Sequence, residues 1–149
     1  MRIPFLQKRK RLNTLYQQGI EDEFALVKRA QAHIASLFMG DREPEMKLIF
    51  IFEQVYIAYN LALFAGSHEV SAQARKALCL LREAFEDMTF EDMYVFNAQT
   101  ALACSKALRM GEAVLQELPR SEFKLAYVKA KKLGETRMGI YNYLKVFHD

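Results

Sequence analysis

Arg137, Tyr141 and Lys145 recur at i, i+4 and i+8, so on a helix they share one side, with Met138 and Asn142 beside them. The stretch that carries them, Ala130 to Lys145, reads as the tail of a helical bundle or as a helix, tight corner and second helix shaped to enter a DNA groove. Lys124, Lys131 and Lys132 lie just upstream of Arg137. The competing reading is a basic amphipathic hairpin that covers a helical body and turns a solvated face outward.

Other chemistry is sparse. His33, His68 and His148 belong to no ExxH or HExxH pair, so di-iron and zinc-protease sites lack their ligands. His68 stands beside Glu69 at a helix start, where capping explains it as well as catalysis does. Cys79 and Cys104 sit in apolar helical patterns without CxxC spacing and read as small core residues in a reducing compartment. There is no glycine-rich phosphate loop and no nucleophile elbow. Glu53 and Asn60 are seven apart on one helical segment and read as a polar pair that fixes bundle register rather than as a general acid. These absences predict a protein that is not an enzyme and holds no metal or cofactor.

The C-terminal cluster needs two helices to position it. Ser121 is the expected N-cap of the first, with Glu122 in its first turn. Phe123, Tyr127 and Ala130 follow at i, i+4 and i+7. Leu133 leads to Gly134, expected in the left-handed conformation of a sharp corner. Thr136 then caps a second helix whose inner side is Ile140, Tyr143 and Leu144. Two helices joined at a tight glycine turn follow the helix-turn-helix plan. The string Ala130, Leu133-Gly134, Thr136-Arg137, Ile140-Tyr141 and Leu144-Lys145 resembles the C-terminal helix-turn-helix of Fis and NtrC-type regulators. The resemblance spans about residues 121–147. It implies DNA binding through Thr136, Arg137, Met138, Tyr141, Asn142 and Lys145, with Arg137 suited to a bidentate contact to guanine, Asn142 to one with adenine, and Lys124, Lys131 and Lys132 to phosphates, which fix position rather than sequence.

Upstream, apolar spacing outlines a bundle. One helix runs from about Leu12 to Phe38 and is closed by Gly40 and Asp41; a second starts near Pro44 and ends at Gly66; a third opens on Ser67 as N-cap. The window from Met46 to Ala65 has roughly the length of a membrane span, but it carries Lys47, Glu53, Gln54 and Asn60, so a buried central helix is expected rather than a span. In AFEDMTFEDMYVF, Glu86 and Asp87 close the third helix, Thr89 is placed to cap a fourth with Glu91 and Asp92 in its first turn, and Pro119 stops it after Leu118. Val95, Leu102, Leu108 and Leu115 are then its expected core positions. The acids Glu86, Asp87, Glu91 and Asp92 also form a candidate patch for a basic protein partner.

At 149 residues the chain suits one compact domain that buries about two thirds of its unfolded surface. Hydrophobic residues make up 52%, against six Gly and three Pro, which favours long helices over disorder. Net charge is +3, unevenly spread: residues 1–11 hold five Lys/Arg and no acid, residues 12–119 nine against fifteen acids, and residues 120–149 seven against three. Basic ends suit a polyanion or fold back on the acidic body. The run Lys8 to Arg11 reads as a phosphate-following arm or a solubilising tail. The N-terminus has no apolar run behind its charges, so no secretory signal is expected and the predicted location is cytoplasmic.

The expectation is therefore all-α: a basic arm over 1–11, a bundle of four main helices over 12–118, and a helix-turn-helix-like segment over 119–149. The function expected first is a small DNA-binding transcriptional regulator on duplex DNA. It is expected to act as a homodimer, since pairing doubles the contacts across half-sites one helical turn apart. The alternative is a non-enzymatic helical interaction module, an adaptor, chaperone or inhibitor with an acidic body.

Overall fold

The computed structural model describes residues 21–88 and 93–147. The protein is an all-α bundle. Its helices are α1 (Glu21–Met39), α2 (Glu45–Ala65), α3 (His68–Asp87), α4 (Ala98–Glu117), α5 (Arg120–Gly134) and α6 (Arg137–Leu144). The expected helical stretch before Glu21, the run Lys8 to Arg11, and Thr89, Glu91 and Asp92 lie outside the described residues.

Most helix ends follow local signals. Gly66 takes φ 72°, the left-handed cap that closes α2, and the Ser67 N–H then donates to the Ala62 carbonyl at 2.9 Å. Ser67 caps α3 by accepting from the Val70 N–H. Asn97 caps α4, its Oδ1 accepting from the Gln99 N–H at 2.8 Å.

The fourth helix departs from expectation: it begins at Ala98 rather than Phe90. Residues 94–96 are held extended against the corner after α1. Tyr94 and Asp41 exchange backbone hydrogen bonds at 2.8 and 2.9 Å, and the Phe96 N–H donates to the Leu37 carbonyl at 2.8 Å. Phe96 is thereby buried, while Val95 points outward at 58% exposure.

Helix α2 forms the axis of the bundle, with α1, α3, α4 and α5 packed around it. It is apolar on every side and long enough to cross a bilayer by length and composition, yet Ile51 to Ala58 are all buried against protein neighbours. Helix α5 lies along it through Phe123, Ala126 and Ala130, so the C-terminal segment shares the core of the preceding helices. Cys79 and Cys104 are both buried, and burial pushes the Cys104 thiol far above its usual range.

Two polar groups inside α2 depart from the expected Glu53 and Asn60 pair. Glu53 accepts from the Lys131 ammonium of α5 at 3.2 Å, whereas the Asn60 amide donates to the Tyr56 carbonyl one turn back. Packing between α2 and α5 selects the first contact, and helix geometry the second.

Candidate functional site

The corner between α5 and α6 is made differently from the expected glycine turn. Gly134 has no positive φ; the bend falls at Thr136, which is extended at φ −132° and ψ 145° and accepts from the Gly139 N–H at 2.9 Å. Gly134 answers to a close approach instead, since a Cβ there would lie 2.7 Å from Glu53 Oε2. Nor does Ser121 cap α5, which starts at Arg120 after Pro119 with no side-chain cap. Arg120 ties that start to α1 through a 3.0 Å bond from Nε to the buried Glu23 carboxylate.

Ile140, Leu144 and Phe147 turn the C-terminal segment onto the body, and the Tyr143 ring packs on Tyr56, Phe52 and Phe147 with centroids 5.1, 5.9 and 5.0 Å away. That apolar arc decides where the polar side chains go. Arg137 Nη2 donates to the carbonyls of Phe85 and Met88 at 3.3 and 3.4 Å, where the end of α3 leaves acceptors unpaired within the helix. The Tyr141 hydroxyl donates to Glu86 Oε1, and Arg82 bonds both that carboxylate and the Phe147 carbonyl. Arg137 and Tyr141 thus face the end of α3, while Met138, Asn142 and Lys145 are exposed. On α5, Lys124 and Lys132 are exposed, and the Lys131 ammonium is drawn in to Glu53. Arg137→Ala is expected to cost about 1–2 kcal/mol, through the lost charge-assisted bonds and the lost cation at a helix C-terminus. Hydrogen exchange of the α6 amides should speed up by roughly tenfold while that of α2 follows only the global change; unchanged α6 protection would refute the clamp.

Two members of the acidic patch can be placed. Glu86 is engaged by Arg82 and Tyr141, and Asp87 lines a cavity of about 280 Å³ with Glu83, Tyr94 and Asn97. Burial first, and the Asp87 charge second, push the Tyr94 phenol up to about 12.

A separate cluster of cations and rings lies across α1, α2 and α5. Arg29 and Lys131 sit 5.5 and 5.8 Å from the centre of the Phe50 ring, and His33 meets that ring edge-on at 5.3 Å. Burial, then Lys47 and Arg29, hold His33 below its ordinary imidazole value, so it is mainly neutral near pH 7.

The surface that sequence reasoning missed is an apolar groove between α1 and α4, about 350 Å³ in volume. Ala35, Ala98 and Ala101 line it as small residues, Ile34 adds apolar depth, and Phe38 and Leu102 are 51% and 70% exposed beside it. Gln31 closes one end by donating to the Ser105 carbonyl across the two helices at 3.0 Å. Exposed Met39, Met93 and Val95 continue the apolar surface near the corner at Gly40. Leu102, expected in the core, is displaced because it lies six residues before the buried Leu108, about 120° round the helix. The flanking Ala98, Ala101, Ala103 and Ala107 were the available signal, since alanines let two helices approach while leaving a shallow trough.

Among the described residues no group of three or more His, Cys, Asp or Glu side chains lies close enough to hold a metal. No family model matches the chain, and neither does any curated protein or solved structure.

Proposed function

We propose that this protein is a non-enzymatic helical interaction module whose working surface is the groove between α1 and α4. One observation carries the reading: large apolar side chains, Phe38 and Leu102, stand in solvent around a concave apolar trough on an otherwise well-packed bundle. Contiguous exposed apolar surface of this kind marks contact sites in soluble proteins. Rigid helices on both sides preform it, so little ordering entropy opposes binding.

The experiment places a photoreactive benzoylphenylalanine at position 102 or, as a control, at the exposed position 76 on α3, in extract of the source cells. A covalent adduct formed from position 102 and absent from position 76 is expected. The reading fails if position 102 gives none, or if both positions give the same products.

A second reading, duplex DNA bound by a homodimer, is favoured by the cap at Thr136 and by the outward Lys124, Lys132, Asn142 and Lys145. In it Asn142 carries base contact and Arg137 acts as a clamp, because using Arg137 on guanine would release both α3 carbonyls. Retention of labelled duplex that falls with salt and is weakened by Lys132→Ala would transfer the function to this reading.

A further inference from the structure

Resting on the interaction-module reading, we infer that the groove between α1 and α4 takes an amphipathic α-helix from a different protein, its apolar stripe flanked by Asp and Glu.

The backbone narrows the occupant first. Both walls are helices whose amides beyond the first turn are bonded within the helix, so neither wall offers a strand edge to pair with an extended peptide. An apolar occupant must satisfy its own backbone, and a helix does so. Small Ala35, Ala98 and Ala101 leave room for one helix to lie close, with its anchors between the Phe38 and Leu102 side chains.

Charge then selects the chemistry of the flanks. From Phe24 to Gly40, and from Met93 to Gly111, the sequence contains no Asp or Glu, although the surrounding body is acidic. Exposed Lys28 continues the α1 wall one turn from Gln31, and exposed Lys106 and Arg109 continue the α4 wall one turn from Leu102 and Ser105. None of the three has an ion-pair partner among the described residues. A cationic rim around an apolar trough complements an acid-flanked helix. It disfavours a second copy, which would bring the same cations, and equally residues 1–11, with five Lys/Arg and no acid. The trough is concave, which suits a rod better than a bilayer surface.

The test uses the full chain and two designed, stapled helical peptides with the same leucine stripe, one flanked by Glu and one by Lys, followed by fluorescence anisotropy. The Glu-flanked peptide should bind at least about tenfold tighter, with the gap shrinking at high salt. Leu102→Glu, on an exposed position and with helicity checked by circular dichroism, should abolish its binding; Lys106→Glu with Arg109→Glu should reverse the preference. Equal affinity for both peptides, or binding of neither while the position-102 adduct persists, overturns the inference and leaves the module reading standing. A dimer dissolved by Leu102→Glu, or anionic vesicles bound through the same residue with no peptide preference, also overturns it. Loss of the adduct itself would instead sink the module reading.

Discussion

Phe52→Ala is expected to lower the free energy of unfolding by about 3–5 kcal/mol, the range for truncating a large aromatic in a packed core. Phe52 is fully buried on the axial helix. Its ring meets Phe85 of α3 at 6.3 Å, Tyr143 of α6 at 5.9 Å and Tyr56 of its own helix at 6.1 Å. Three helices therefore border the void, and none can collapse into it without disturbing the others. A domain of this size is stable by about 5–15 kcal/mol in total, so the loss is a large share. Urea denaturation followed by circular dichroism measures it. The C-terminal helix should loosen first, because Tyr143 loses one of its ring partners. A loss below about 1 kcal/mol would mean that the site is not packed as described.

Lys131→Met is expected to cost about 1–3 kcal/mol near neutral pH, and to recover much of that as pH falls. Breaking a fully buried ion pair costs more, but the Lys131 side chain is 45% exposed, so solvent already screens part of the contact. Its partner is enclosed: the Glu53 side chain is 6% exposed, and burial raises its pKa above the ordinary 4.5 even with Lys131 opposing the shift. A raised carboxyl pKa means that the folded state binds the proton more tightly than the unfolded chain. Stability is therefore greatest below 4.5 in respect of this group, and falls as pH rises from 4.5 through the folded value. Without Lys131 the folded pKa rises further and the window widens upward. Stability profiles from about pH 4 to about pH 8 should show a steeper decline for Lys131→Met than for the parent. The decline should largely disappear in the double variant with Glu53→Gln. Parallel profiles for parent and Lys131→Met would show that the pair is not coupled. Gly134 belongs to the same contact, since a Cβ there would press on the Glu53 carboxylate.

The sequence by itself determined the all-helical class and the ends whose signals are local. Gly66 closing α2, Ser67 opening α3 and Thr136 opening α6 each act through atoms within a few residues, so short stretches specify them. A nearly all-apolar α2 likewise announced a helix enclosed on every side. Only the tertiary structure decided the rest. Tyr94 and Phe96 are extended because their partners, Asp41 and Leu37, lie more than fifty residues away, and those bonds override the helical pattern that ran back to Phe90. Leu102 is exposed because packing turns the α4 face that holds Leu108 into the core and leaves Leu102, about 120° round the helix, beside the trough. Arg137 turns to α3 because the carbonyls at that helix end lie within reach once Ile140 and Leu144 dock. Caps and periodicity are short-range energies, readable along the chain. The direction a helix face takes depends on which distant surfaces meet, and that is settled by packing in three dimensions.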